Sequence, residues 1–180
     1  MTTTPIVYEL DPVHSHIGFS IRHMMVSQQR GVFRGASGTL TLNRADLASS
    51  HIEVAIDVAT LNTNVADRDE HLRGADFFDV ANHPKISFVS REVRARDDGQ
   101  LRVTGDLTIR GTTRSIVLDV DPMSEESKDL YGMIRVGSSA TTKISRKDFG
   151  LVWNAILETG GVALADEVKI TLDVQFVRKS

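Results

Sequence analysis

Apolar and polar side chains alternate along most of this chain, the mark of strands with one covered and one wet face. The clearest run is the last: Val168, Ile170, Leu172, Val174 and Phe176 alternate with Glu167, Lys169, Thr171, Asp173 and Gln175. From Leu101, residues Leu101, Val103, Leu107 and Ile109 point one way; the turn Gly111-Thr112-Thr113 follows, and Ile116, Leu118 and Val120 restart the pattern. That predicts a hairpin. Ile52 to Val58, and Ile17, Phe19 and Ile21, alternate in the same way. Ile86 and Phe88 open a strand running to a turn at Asp97-Asp98-Gly99. Val32 to Leu42 is a strand whose early glycines, Gly31, Gly35 and Gly38, imply a bend or bulge. Ile134, Val136, Ser138, Ala140, Thr142 and Ile144 share one face of a long strand.

About eight strands joined by short turns call for antiparallel neighbours. Each strand has an apolar face to cover and little helix is available, so the sheet is expected to close on itself as a barrel or sandwich. Small inward residues such as Gly105, Ser138 and Ala140 leave room for an internal cavity. A tapered, filled core fits the same pattern.

One stretch departs from the alternation. Asp67 to Phe88 reads DRDEHLRGADFFDVANHPKISF, dense in charge, then doubly aromatic, then returning to a strand through His83-Pro84. A short helix is expected from Asn64 as cap, with Val65, Leu72, Ala75 and Phe78 near one face. Arg68, Asp69, His71 and Arg73 read as anchors tying this insert to the barrel. Adjacent residues on a helix diverge by roughly 100°, so Phe77 and Phe78 should not share one packing surface. One of them is then free for a ligand. Phe149, Leu151 and Trp153 form a second aromatic loop.

Composition narrows the function. The 180 residues suit one domain. The net charge of −3 argues against a nucleic-acid partner. Arg91, Arg94 and Arg96 run into Asp97 and Asp98 and read as a solvated edge and turn. With no cysteine, thiolate chemistry and disulfides are excluded. The N-terminal residues show no signal peptide and no apolar run is long enough to span a membrane. A cytoplasmic location is expected, or an exported one if a leader has been removed. No nucleophile elbow, P-loop or dinucleotide fingerprint is present, and no catalytic residue or cofactor is assigned. His14-Ser15-His16 on a strand would put both imidazoles on one face, and His71, His83 or Asp67 could complete a metal-assisted site. Two histidines hydrogen-bonded near a barrel end are the structural alternative.

The chain resembles the YceI-like family, the polyisoprenoid-binding proteins with a lipocalin-like barrel. The resemblance rests on VHSHIGFSIRHMMVSQQRGVFRGASGTLTL and RDEHLRGADFFDVANHPKISF, then on VTGDLTIRGTTRSI, SRKDFGLVWN and ETGGVALADEVKITLDV, in that order. It implies an all-β fold: one antiparallel eight-stranded lipocalin-like β-barrel over 1–180 with one short helical insert. It also implies a long apolar ligand of polyisoprenoid, isoprenoid quinone or fatty-acyl type in the barrel, and a homodimer. On this reading the ligand lies against Ile17, Phe19, Ile21, Ile56, Phe88, Ile109, Ile170 and Leu172, and Phe77, Phe78, Phe149 and Trp153 close or line the mouth. A packed barrel acting through its surface is the remaining alternative.

Overall fold

In the structure, a computed structural model describing residues 4–180, the chain runs through twelve strand segments and one α-helix. They are β1 (Ile6–Leu10), β2 (His16–His23), β3 (Ser27–Phe33), β4 (Ala36–Leu42), β5 (His51–Asp57), β6 (Leu61–Asn62), α1 (Ala66–Arg73), β7 (Lys85–Ala95), β8 (Leu101–Ile109), β9 (Thr112–Val120), β10 (Ser127–Lys128), β11 (Ile134–Ser145) and β12 (Leu164–Arg178). Three single 3-10 turns punctuate them.

The twelve segments occupy eight barrel positions. β1 and β2 both pair with β12, at Leu10↔Phe176 and His16↔Asp173, so together they form one long interrupted strand. β4 and β3 pair with β1 and β2 respectively and are likewise one strand broken at Arg34-Gly35. β5 and β6 make the third position, and the hairpin β8–β9 follows β7 in order. Pairing of β9 with β11 and of β11 with β12 closes the antiparallel ring. The β11–β12 ladder runs from Arg135↔Val177 to Ser145↔Glu167. The β9–β11 ladder holds only Ala140↔Val120 and Thr141↔Asp119, so closure is thinnest there. Ser138, expected inward, donates its hydroxyl to the Asp121 carbonyl beside this seam.

Local sequence explains the corners. The β8–β9 turn sits at Arg110-Gly111, both with positive φ of 48° and 72°; this is the twist a two-residue hairpin loop requires. Thr112 and Thr113, expected in the turn, already belong to β9. At the break between β3 and β4, the Gly35 N–H donates to Thr60 Oγ1 at 2.8 Å. Asp11 holds the β1–β2 corner, accepting from Arg135 at 2.5 Å and pairing with His14 at 2.8 Å. Burial opposes its charge, but hydrogen bonds from Arg135, His14 and the backbone outweigh burial and hold the carboxyl far below the usual range.

The interior has two parts. At one end Tyr8, Leu10, Leu40, Leu42, Val136 and Phe176 form a solid plug, with Tyr8 and Phe176 almost fully buried. At the other end the strands surround a cavity, and the insert lies across β6 beside it.

The insert differs from expectation in its start and its face. The helix cap is Val65, which carries no capping side chain, and Asn64 takes the left-handed conformation at φ 64°, a region Asn tolerates. Asp69 instead reaches back to the residue before Asn64, accepting from the Thr63 N–H at 2.9 Å and from its hydroxyl. Val65 and Ala75 are exposed, so only Leu72 and Phe78 of the expected face turn inward.

Candidate functional site

The cavity occupies about 290 Å³, at the lower end for small-molecule sites. Along β12 it is lined from Leu164 through Val168, Ile170 and Leu172 to Phe176. At the rise of an antiparallel strand this is roughly 40 Å of wall. The site is long and narrow, the shape that fits an extended chain.

Strand parity builds the wall. β2 turns Ile17, Phe19 and Ile21 inward, β5 turns Ile52, Val54 and Ile56, and β8 turns Leu107 and Ile109. β7 contributes Ile86 and Phe88. Two inward glycines make room for aromatic rings: a Cβ on Gly31 would fall 2.4 Å from the Phe19 ring, and one on Gly105 2.4 Å from that of Phe88. The space expected at Gly105 is thus taken by Phe88. What remains open is the axis of the barrel.

Phe77 and Phe78 both line the cavity, contrary to the divergence expected of them. The helix ends at Arg73, and the turns after it carry the two rings to neighbouring places on one surface. Phe78 meets Phe33 edge-on at 5.8 Å, and Phe33 in turn meets Phe19 at 5.7 Å. Phe77 is buried and packs against His71 at 5.1 Å and Trp153 at 5.3 Å. Trp153 is not among the residues that line the cavity; its ring packs against those of Phe77 and His71. Phe149 does line the cavity and is buried.

Arginines fasten the insert. Arg68 donates to Thr63 Oγ1, to the Thr63 carbonyl and to Gln29 Oε1, all within 2.8 to 2.9 Å. Arg73 donates to the carbonyls of Ala59 and Leu61. From the far side, Arg110 donates to the Phe77 carbonyl at 2.9 Å. The arginine anchoring is therefore mostly to neutral acceptors.

All the polar lining side chains gather near the insert: His23, Gln29, Arg30, Thr63, Arg68 and Arg146. Arg30 is exposed, so the cavity reaches solvent here. His23 is half-buried and lines the cavity. Arg146 lies at the end of β11 and is 4% exposed. Its Nε donates to the Ala165 carbonyl, and its Nη1 to those of Leu151 and Trp153. Sequence reading missed Arg146. The signal was the parity of β11: the inward set ending at Ile144 has its next member at 146.

Among the described residues the histidine pair is not joined by a third ligand. His14 sits in a turn before β2, bonded to Asp11, and the His16 ring lies over Gly18 on the outer face. His71 pairs with Asp76 at 2.9 Å. Among the described residues no group of three or more His, Asp or Glu side chains is placed to hold a metal ion. No helix among them is long and apolar enough to cross a membrane.

These features define a closed antiparallel β-barrel with an elongated apolar interior and a helical insert beside its open end. Comparison with known proteins specifies the kind. The family model described as YceI-like domain matches residues 8–176, and the chain belongs to that family. A UPF0312 protein of Staphylococcus epidermidis is 35% identical over 94% of this chain and 96% of its own. One from Photorhabdus laumondii is 39% identical over 76% of this chain and 70% of its own. Among solved structures, the YCEI protein of Campylobacter jejuni is 27% identical, with a TM-score of 0.73 over 88% of this chain and 90% of that one. A polyisoprenoid binding domain from Saccharophagus degradans shares the fold at a TM-score of 0.70 and 16% identity, over 97% and 99% of the two chains.

Proposed function

We propose that the protein binds a long apolar chain, of polyisoprenoid, isoprenoid quinone or fatty-acyl type, in the barrel and acts as its carrier or sequestering protein. The observation that carries this reading is the cavity, whose wall is aliphatic and aromatic along nearly its whole length. The solved structure described as a polyisoprenoid binding domain supports it by likeness of fold. The contact residues of this reading are Ile17, Phe19, Ile21, Ile56, Phe88, Ile109, Ile170 and Leu172 on the strands, with Phe77, Phe78 and Phe149 at the insert end.

Energetics are adequate. Each buried methylene contributes roughly 0.8 kcal/mol, so ten supply ~8 kcal/mol gross. Ordering the chain and losing its translation return several kcal/mol of this. Micromolar binding or better remains without a single hydrogen bond.

Native mass spectrometry and solvent extraction of the purified protein test the reading. The expected result is a co-purified lipid of one mass class, displaced by added long-chain competitor. A protein that carries no lipid and shows no saturable uptake of a fluorescent long-chain probe overturns it.

A further inference from the structure

The lining of the cavity is electrically lopsided. Among the described residues it includes Arg30, Arg68 and Arg146 and no aspartate or glutamate. The three are not equivalent. Arg68 spends its donors on Thr63 and Gln29, and Arg30 is exposed to solvent. Arg146 is buried, and its Nη2 is the buried side-chain nitrogen left without a partner among the described residues.

A buried, unsatisfied guanidinium nitrogen is costly. The rest of the group bonds only neutral backbone carbonyls, which do not cancel its charge. Asp166 is the acid that acts on it electrostatically. That carboxylate, however, accepts from the Ser145 hydroxyl at 2.6 Å and from the Lys147 N–H at 3.1 Å. No ion pair joins it to Arg146 among the described residues. Burial accordingly weakens the hold of Arg146 on its proton. A pure hydrocarbon in the cavity would leave this nitrogen as it is. An anionic oxygen would satisfy the donor and offset the charge together, and charge-assisted bonds are the strong ones.

We infer that Arg146 is a headgroup site: the ligand is an amphiphile whose anionic oxyacid head, carboxylate or phosphate, bonds Arg146 Nη2 while its tail runs along the barrel toward Phe176. This rests on the reading that the barrel holds a long apolar chain, and it adds the head's charge and the ligand's direction. The polar end of the lining lies beside the insert and the opposite end is closed by the Tyr8–Phe176 plug, so a head-outward orientation follows. Arg30 and Arg68 add positive potential along the entry route, which favours the arrival of an anion over a cation.

Three sixteen-carbon probes with one tail and different heads test this: palmitate, hexadecyl phosphate and hexadecanol, each titrated into delipidated protein against a displaced fluorescent chain. Palmitate or hexadecyl phosphate should bind at least about tenfold more tightly than hexadecanol, the worth of one charge-assisted hydrogen bond. The ranking of the two anions decides between carboxylate and phosphate. Equal affinity of all three overturns the headgroup site and leaves chain binding standing; failure of all three to bind overturns both. Arg146→Met should cut the preference of the anionic probes over hexadecanol to less than about threefold, since the donor is gone. Preference retained in a folded Arg146→Met places the head elsewhere and overturns the assignment. Where that variant does not fold, the wild-type ranking alone decides.

Discussion

Gly105 inverts the usual expectation for glycine in a strand. Alanine is ordinarily the better residue there by roughly 0.5–1 kcal/mol. At Gly105 an added Cβ would lie 2.4 Å from the Phe88 ring and 2.6 Å from the Val89 carbonyl oxygen, which belongs to backbone and cannot move aside cheaply. Gly105→Ala should destabilise by about 1–3 kcal/mol, read as a lower urea midpoint. Tyr8 carries a pH signature. Burial, then the hydrogen bond to Glu126 at 2.6 Å, push its phenol up to about 12. The folded state keeps a proton that the unfolded chain releases near pH ~10. This contribution is complete below about pH 10 and is lost as the pH rises toward the folded value. Between about pH 10 and 12 the wild type should lose on the order of 1 kcal/mol per pH unit relative to Tyr8→Phe, measured by urea unfolding of both proteins at each pH.

At the scale of elements, the insert and the barrel are separable in stability. Helix α1 is eight residues long, too short to stand alone. It persists because Asp69 is bonded to Thr63 and because Arg68, Arg73 and Arg110 tie its ends to the sheet. Asp69→Ala leaves the buried Thr63 donors unpaired, a loss of about 1–3 kcal/mol. Amide exchange should speed up across 63–83 while β11 and β12 keep their protection; uniform acceleration everywhere would show that the insert and barrel unfold as one unit. The insert was legible as an interruption of period-two alternation. Its inward face was not, because the turns after Arg73 rather than helical geometry aim Phe77 and Phe78. The strands fared better: β8 and β11 match their alternating runs to within a residue, while β9 begins four residues before Ile116 and β12 three before Glu167. β1 escaped notice, since a run as short as Ile6, Tyr8 and Leu10 scarcely differs from chance.

For the whole molecule, the division of the interior into a solid plug and an open cavity has a thermodynamic consequence. A ligand that binds only the folded barrel stabilises it by mass action, about 2.7 kcal/mol at a hundredfold excess over Kd. For a chain of this size that is a rise in Tm of roughly 5–10 °C. Delipidated protein should therefore melt lower than protein as purified, and regain the difference on adding palmitate. A Tm unchanged by both steps would mean that the cavity holds no chain under those conditions.

Alternation alone determined that the chain is all-β, which residues face inward and that the sheet must close, because every strand has one face to hide from water. The eight strand residues expected near a ligand fall on the cavity for that reason; Phe77, Phe78 and Phe149 reach it from turns that no periodicity governs, and Trp153, in the loop after Phe149, does not line it. Three things were left to the tertiary structure. Phe88 and Phe19 settle over glycines on neighbouring strands, which decides how much of the interior stays open. The twelve segments merge into eight positions through pairings between residues far apart in sequence. And Arg146, which reads as one more charge between Ser145 and Lys147, becomes a buried cation on a cavity wall only when β11 and β12 close the barrel around it. Burial and partnership are properties of contacts across the chain, and no local pattern carries them.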